Sequence, residues 1–306
     1  MERDIVSIGI KNLNDKKSLE IRERIEKIAN LNTNVLIYGE TGVGKDFWAY
    51  YLSEFSRFET IVNLNCGDVP ETLLESEWFG YRRGAFTGAN RNYDGKWKQA
   101  GDGILFLNQI DLLSLNLQSR LLRIIERKKY FSLGSNREAD IRARFIFSTD
   151  DDIEDKVRRG EFRQDLFYRI SSYKIHVPPL RERKNDILPL VLYFAGKAGL
   201  QVNISPRGMK SLKSYRWTGN IREIENFIHN LSVTGSKLED ADIYGLYRDS
   251  IDLLESVKVS DISLAEMERD YILFLLRKYR SKVKVADILK ISRKSLYNKL
   301  KQYEKG

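Results

Sequence analysis

Two stretches of the chain carry residue types that bind phosphate groups or act on them. The first is a glycine-rich run with a lysine near its end, Gly39-Glu40-Thr41-Gly42-Val43-Gly44-Lys45-Asp46. Glycines let the backbone turn tightly and aim N–H groups at phosphate oxygens, and the lysine adds a positive charge for the outer phosphates. The second is an apolar run that ends in Asn108 and Gln109, where such a loop leads us to expect two carboxylates. Together they predict a nucleotide site with altered hydrolytic groups.

The residues around the glycine-rich run predict the elements that position it. Residues 35–38 are typical of a buried strand and residues 47–55 of a helix, the context that a phosphate-binding loop requires. A glycine-rich turn without a ligand is the alternative, which the spacing and the flanks disfavour. Further strands are predicted at 61–64, 104–107, 145–147 and 173–177, and helices at 20–29, 115–127 and 153–159. This alternation predicts an α/β fold with a parallel sheet covered on both faces.

After two prolines at 178–179, the pattern becomes helical. Residues 184–233 show helical periodicity without a convincing strand, and Ser205 followed by Pro206 predicts a helix start. Residues 234–260 have the mixed polarity of a linker, and residues 261–303 predict a separate three-helix unit. We therefore predict four regions, 1–179, 180–234, 235–260 and 261–306.

The distribution of charge separates the end of the chain from the rest. The formal net charge is +9, and residues 280–306 alone hold nine basic and two acidic side chains. A basic segment on a nearly neutral body indicates a module that binds a polyanion, with a solvated basic tail as the alternative.

Composition argues against a secreted, disulfide-rich or membrane protein. Cys66 is the single cysteine among 306 residues, so no disulfide framework forms within one chain. The N-terminal residues lack the pattern of a signal peptide. The longest apolar stretch, 187–196, contains a proline and is too short to span a bilayer. We expect a soluble, cytoplasmic protein without a membrane partner.

Further motifs follow the glycine-rich run in a characteristic order. They are residues 84–89 (GAFTGA), 162–169 (FRQDLFYR), 178–183 (PPLRER) and 217–223 (WTGNIRE). In order and spacing they resemble the AAA+ domain of bacterial enhancer-binding proteins, the activators of the sigma-54 form of RNA polymerase. The resemblance covers the chain from residue 20 onward. It implies an AAA+ sheet domain, a helical lid, a linker and a small all-α helix-turn-helix domain in the four regions above.

The resemblance also implies roles for residues outside the loop. Family members form rings with ATP between subunits, so we expect a homo-oligomer, specifically a hexameric ring. Arg163 and Arg169 match the arginine fingers that reach a neighbour's phosphates. Arg222 matches the lid arginine that senses the nucleotide, and Asn65 matches the switch asparagine that contacts the catalytic glutamate. Ordinary surface ion pairs with neighbouring carboxylates are the alternative for the arginines.

The hexapeptide matches the loop tip that contacts the sigma factor in this family. Its residues are Gly84, Ala85, Phe86, Thr87, Gly88 and Ala89. Small residues on both sides of Phe86 would present its ring on a flexible hairpin, and an exposed ring indicates a contact surface. The alternative is a packed turn with Phe86 buried.

The end of the strand departs from the family, which has Asp-Glu where this chain has Asn108 and Gln109. Asn108 carries no charge, so we expect it to hold Mg²⁺ weakly and through water. Gln109 cannot accept a proton, and loss of a general base slows a reaction by ~10²–10⁴-fold, although glutamine still orients an attacking water. Asp150 places a carboxylate where the family has an amide, and an acidic residue at Asp46 is usual in the family. The charge has either been relocated to Asp150 or been lost without hydrolytic selection.

The last helix of the three-helix unit has the pattern of a DNA-reading helix. Ser292 is predicted as its N-cap, with Leu296 and Leu300 facing inward. The residues left for DNA are Arg293, Lys294, Ser295, Tyr297, Asn298 and Lys299. The unit resembles the Fis-type domain that ends many of these activators. A helical dimerisation bundle with a solvated basic face is the alternative.

These features predict an ATP- and DNA-binding regulator of sigma-54 RNA polymerase that acts through residues 84–89, with hydrolysis impaired. The rival hypothesis is a fully active ATPase that remodels the closed promoter complex, with Asp150 compensating. We expect ATP and Mg²⁺ as cofactors and an upstream, enhancer-like DNA site. Since no receiver-like segment precedes residue 20 of this sequence, we expect regulation by a separate protein or through the level of expression.

Overall fold

The computed structural model describes residues 12–243 apart from 59, 68, 69, 236 and 241, the single residues 246, 272, 275, 276 and 279, and residues 281–303. The chain divides into two compact units, Met1–Tyr244 and Gly245–Gly306. The predicted limits of the four regions stay predictions, and residues 247–271, which hold the end of the predicted linker and the start of the three-helix unit, lie outside the described residues.

Strands and helices are interspersed along the described part of the chain. The strands are β1 (Val35–Tyr38), β2 (Ile61–Asn65), β3 (Ile104–Asn108), β4 (Lys129–Phe131), β5 (Glu138–Asp140), β6 (Arg144–Thr149), β7 (Tyr173–His176), β8 (Gln201–Asn203) and β9 (Lys237–Glu239). The helices are α1 (Lys16–Ile28), α2 (Lys45–Glu54), α3 (Glu71–Phe79), α4 (Lys96–Ala100), α5 (Leu115–Arg127), α6 (Ile153–Arg158), α7 (Gln164–Ile170), α8 (Ile187–Lys197), α9 (Pro206–Ser214), α10 (Asn220–Thr234), α11 (Lys282–Ile288) and α12 (Arg293–Tyr303).

Five strands form one parallel sheet in the order β2-β3-β6-β1-β7. Every residue of β6 is buried, and so are residues 104–107 of β3. Strands buried on both faces read as continuous apolar runs, which is why the sequence predicted them. The predicted parallel sheet is confirmed. The carboxyl ends of its strands share one edge, where ligands bind in open α/β sheets.

A buried arginine fastens the sheet to the first helix. Arg144 begins β6 and is 1% exposed. Its guanidinium donates to Ile28 O at 3.1 Å, Ala29 O at 2.5 Å and Thr33 O at 3.1 Å. These carbonyls lie at and beyond the end of α1, where backbone acceptors lack helical partners.

A second bundle of elements follows the sheet. Helices α8, α9 and α10 pack there, and β8 pairs in parallel with β9. The prediction of helices alone for 184–233 was wrong at β8, because a three-residue strand with one apolar side chain gives no periodic signal. The predicted start of α9 is confirmed, since the Ser205 hydroxyl accepts from Gly208 N at 3.1 Å and Pro206 follows it.

In the second unit, α11 and α12 form a helix-turn-helix. Ser281 and Ser292 cap the two helices, as predicted for Ser292, and Lys290 turns the chain with a φ of 51°. The described core holds Ile272, Leu275, Val285, Ala286 and Leu296. Within the described residues, no helix of either unit has the length and apolarity needed to cross a bilayer.

Candidate nucleotide-binding site

The glycine-rich loop leaves the carboxyl end of β1 and leads into α2. Gly42 and Gly44 have φ angles of 78° and 93°, which glycine adopts readily. A Cβ on Gly42 would lie 2.4 Å from the carbonyl oxygen of Gly219. The loop therefore lies against the lid so closely that only glycine fits at residue 42.

Lys45 points back into the loop. Its side chain is 8% exposed, and its ammonium pairs with Asp150 Oδ1 at 2.7 Å. The hydroxyl of Thr41 donates to the other oxygen of Asp150 at 3.1 Å. Asp150 follows β6, so the structure brings this predicted site residue onto the loop itself.

The first strand-end amide lies between a hydroxyl and a carboxylate. Asn108 Nδ2 donates to both carboxylate oxygens of Asp46, at 3.0 and 3.1 Å, and the Ser148 hydroxyl donates to Asn108 Oδ1. Burial raises the pKa of Asp46, against the opposing effects of Lys45 and the hydrogen bond from Asn108. At this point of the site the carboxylate therefore belongs to Asp46 of the loop, and the strand contributes the uncharged amide of Asn108.

The second amide lies near the predicted switch asparagine. Asn65 is the register partner of Asn108 between β2 and β3. Gln109 has a φ of 57°, and its backbone N–H donates to Ser148 Oγ at 3.2 Å. A Cβ on Gly67 would lie 3.0 Å from Gln109 Oε1 and 3.8 Å from Asn65 Oδ1. The two side chains therefore border the same glycine.

The lid holds the loop through polar contacts that the sequence did not predict. Asn220, fully buried, donates to Thr41 O at 3.0 Å and to Glu40 Oε2 at 3.2 Å. Arg181 makes two hydrogen bonds to Glu40, at 2.5 and 2.8 Å, which lower the pKa of that carboxyl. The guanidinium of Arg183, also buried, donates to Val43 O at 2.5 Å. These three residues belong to the motifs 178–183 and 217–223. The sequence analysis noted both motifs but did not assign these residues to contacts with the loop.

A cavity of about 510 Å³ opens between the loop, the strand ends and the lid. Its lining includes most of the predicted site and two further aromatic and basic lid residues: Thr41, Gly42, Gly44, Lys45, Asp46, Asn65, Asn108, Gln109, Asp150, Tyr193, Lys197 and Arg222. Arg163 and Arg169 are not among the described residues that line it. Arg163 pairs with Asp165 of the same chain at 2.7 Å, and Arg169 is exposed.

A buried carboxylate beside the strand ends escaped the sequence analysis. Asp111 follows Gln109 by two residues, and its side chain is 4% exposed. It accepts from Thr149 Oγ1 at 3.0 Å and pairs with Lys156 Nζ at 2.7 Å. The sequence feature that could have identified Asp111 is its position as the single acidic residue within the apolar run 110–113.

The hexapeptide forms a compact turn with its aromatic ring half covered. Gly84 N donates to Ala89 O at 2.9 Å, and Gly84 and Gly88 have φ angles of 84° and 99°. Phe86 is 46% exposed, and its ring meets that of Tyr81 edge to face at 5.0 Å. Phe86 is therefore neither free of the protein nor buried.

The predicted DNA-contact residues divide into two groups on α12. Arg293, Lys294, Tyr297 and Asn298 are exposed, whereas Ser295 and Lys299 are half-buried. The hydroxyl of Ser295 is hydrogen-bonded to that of Ser292 at 2.8 Å. From α11, Lys282 places its ammonium 4.4 Å from the ring centre of Tyr297. Leu296 is fully buried and Leu300 half-buried, as expected for inward positions.

Three family models match the chain. They are the sigma-54 interaction domain at residues 12–176, the AAA+ ATPase lid domain at 181–243, and the Fis family of bacterial regulatory proteins at 263–303. The first two matches lie within the first unit, and the third lies within the second unit.

Curated relatives are transcription regulators. The chain is 41% identical over 232 residues to the anaerobic nitric oxide reductase transcription regulator NorR of Aliivibrio fischeri, a match that covers 73% of this chain and 45% of the relative. It is 37% identical over 261 residues to the Nif-specific regulatory protein of Azotobacter vinelandii, covering 81% of this chain and 50% of the relative. The chain thus spans about half the length of these relatives.

Solved structures share the fold. NtrX from Brucella abortus, crystallised in complex with ADP, superposes with a TM-score of 0.69 at 24% identity, covering 94% of this chain and 68% of NtrX. Its complex with ATP gives a TM-score of 0.68 at the same identity and coverage. Since the sigma-54 interaction model covers more than half of the chain and the relatives align with most of it, the chain belongs to the sigma-54 interaction family of bacterial transcription regulators.

Proposed function

We propose that this chain binds ATP and DNA and regulates sigma-54 RNA polymerase, with ATP hydrolysis impaired. The observation that carries the proposal is the position of Asn108 between the Ser148 hydroxyl and the Asp46 carboxylate. An amide there donates to the neighbouring carboxylate and brings no negative charge, and the next residue, Gln109, has no group that can take a proton at neutral pH.

The residues present fit a nucleotide. The loop has the glycines and the lysine that cradle phosphates, it borders a cavity, and α2 points its positive end at the same place. NtrX, which has the same fold, is crystallised with ADP and with ATP. ATP is therefore the nucleotide that we assign to the site.

The residues also fit a magnesium ion that arrives with the nucleotide. Mg²⁺ prefers oxygen ligands and is usually held by one or two carboxylates together with substrate phosphates and water. Asp46, Asp150 and Asn108 supply such oxygens around the cavity. Among the described residues there is no group of three or more His, Cys, Asp or Glu side chains that could hold a metal ion, so the phosphates of the nucleotide and water would supply the remaining ligands. When bound, Mg²⁺ supplies charge neutralisation on the phosphates.

The residues of the chain itself have different roles at the site. Lys45 provides the cation for the outer phosphates, and Asn220 with Arg181 keeps the lid on the loop. Gln109 orients a water molecule without deprotonating it, so positioning persists and general-base assistance is lost. In an assembled ring, Arg163 and Arg169 would act on a neighbour's nucleotide, which agrees with their position outside the described lining of their own cavity.

The partners follow from two exposed surfaces. Phe86, half exposed on its turn, is the group that we assign to sigma-factor contact, together with the other residues of 84–89. The exposed residues of α12 are assigned to DNA, because a helix-turn-helix places its last helix in the major groove. We further propose that the chain assembles into a hexameric ring.

The deciding measurement is steady-state phosphate release at saturating ATP and Mg²⁺. Restoring both carboxylates with Asn108→Asp and Gln109→Glu in one variant should raise turnover by ~10²–10⁴-fold, because it returns a general base to the site. The matched control, Asn116→Asp with Gln99→Glu, makes the same chemical changes at two exposed amides and should leave turnover unchanged.

A brisk rate in the unmodified chain, equal to that of the double variant, would contradict the proposal. It would favour the rival function, an active ATPase that remodels the closed promoter complex with Asp150 compensating. Promoter melting with sigma-54 polymerase would then follow ATP turnover by the unmodified chain.

A further inference from the structure

The ammonium of Lys45 is fully hydrogen-bonded by the chain itself. Its acceptors are Gly39 O at 2.7 Å, Glu40 O at 3.1 Å and Asp150 Oδ1 at 2.7 Å. An ammonium group has three N–H donors, so these acceptors use its whole capacity. The two carbonyls belong to the loop that carries the lysine, whereas Asp150 comes from the end of β6. An incoming phosphate must therefore displace Asp150.

The Asp150 carboxylate holds the loop at two points. Besides its ion pair with Lys45, it accepts the hydroxyl of Thr41 at 3.1 Å. The Lys45 side chain is 8% exposed and that of Asp150 is 39% exposed, so the pair is only partly screened by water. A loop lysine of this type binds the β- and γ-phosphates of a nucleotide. An outer phosphate bound by Lys45 would therefore need the position of this carboxylate.

A second carboxylate lines the same cavity. Asp46 lies beside Asn108 and also faces the space next to Lys45. A nucleoside triphosphate without a metal ion would bring its negative charge against Asp46 and Asp150 together. A divalent cation on the phosphates would turn this repulsion into attraction.

We propose that Asp150 is an internal competitor for the outer phosphates and makes triphosphate binding by this chain depend on a divalent cation. The proposal rests on the proposed function, because it concerns the nucleotide assigned to this site. ADP lacks the terminal phosphate, so its binding depends less on the cation.

The test is the affinity of the full chain for ATP and for ADP, measured by isothermal titration calorimetry with Mg²⁺ and with EDTA. In the wild type, EDTA should weaken ATP binding more than ADP binding. Asp150→Asn keeps the shape of the side chain and removes its charge. Its affinity for metal-free ATP should exceed that of the wild type by about tenfold. This factor corresponds to one charge-assisted hydrogen bond, between Asp150 and Lys45, which the phosphate no longer has to displace.

The matched control is Asp152→Asn, which removes the same charge two residues away. Asp152 pairs with Lys156 at 3.6 Å, so this variant should keep the wild-type affinities. Equal metal-free ATP affinity in the wild type and Asp150→Asn would overturn the inference and leave the proposed function intact. If the wild type and the variant are both folded and neither binds ATP, both the inference and the proposed function are wrong. If Asp150→Asn does not fold, the wild type decides, since equal losses of ATP and ADP affinity in EDTA overturn the inference.

Discussion

Buried guanidinium groups connect distant parts of the first unit through backbone carbonyls. Arg144 donates to three carbonyls around the end of α1, and Arg183 donates to the glycine-rich loop. Burial lowers the pKa of each to about 10, so both remain charged at neutral pH. A buried charge of this kind stabilises the fold only while its acceptors stay in place.

Arg144→Met should therefore lower the free energy of unfolding by about 3 kcal/mol, because it removes three hydrogen bonds to backbone carbonyls, two of them on the buried residues Ile28 and Ala29. Urea unfolding followed by circular dichroism measures the loss. The control is Arg142→Met, whose side chain is 77% exposed and pairs with Asp102 at 3.8 Å. An exposed pair contributes about 0–1 kcal/mol, so equal losses in the two variants would count against the structural role of Arg144.

At the scale of elements, the glycine-rich loop and the lid are in direct contact through their backbone atoms. Ile221, at the start of α10, donates its N–H to Gly42 O at 2.9 Å. The Cα of Gly42 faces the Gly219 carbonyl, with no room for a methyl group. The loop conformation therefore depends on lid docking as well as on its own glycines.

Gly42→Ala should abolish tight ATP binding, because the added Cβ forces the loop away from Gly219. Its control is Gly199→Ala, which also has a positive φ, 70°, but has no neighbouring atom within 4 Å of the added Cβ. Backbone strain alone costs about 1–2 kcal/mol, so Gly199→Ala should lose some thermal stability and keep its ATP affinity. Unchanged calorimetric binding by Gly42→Ala would rule out the steric argument.

At the scale of the whole molecule, the chain separates a nucleotide unit from a basic helix-turn-helix unit. The second unit has its own core, and its charge lies on and around α11 and α12. A protein that neutralises phosphates releases counterions from DNA, so binding weakens with salt in proportion to the number of contacts.

Lys294→Ala should reduce the slope of log affinity against log salt by about 1, through loss of one phosphate contact. Fluorescence anisotropy with a mixed-sequence DNA duplex measures this slope. The control is Lys210→Ala, an exposed lysine of the first unit, which should leave the slope unchanged. Identical slopes for both variants would exclude Lys294 from the DNA surface.

Local patterns predicted the strands of the parallel sheet, the phosphate loop and the helix-turn-helix, because the pattern of each element lies in residues that are close together in the chain. Contacts between residues that are far apart in the sequence leave no local pattern, so they could not be predicted in this way. Arg181 meets Glu40 and Asn220 meets Thr41 only after the lid docks. The sequence left open whether Asp150 replaces the charge lost at the strand end, and gave no sign that this carboxylate pairs with Lys45 in the folded chain.

The small β8–β9 ladder has a practical consequence for dissecting the molecule. Ser205, the cap of α9, donates its backbone N–H to Asp240 at 2.9 Å, directly after β9. Truncation at the end of α10 would remove both the partner of β8 and this anchor. An expression fragment of the ATP-binding portion should extend through residue 243, and trypsin should spare the 237–240 segment while that portion stays folded.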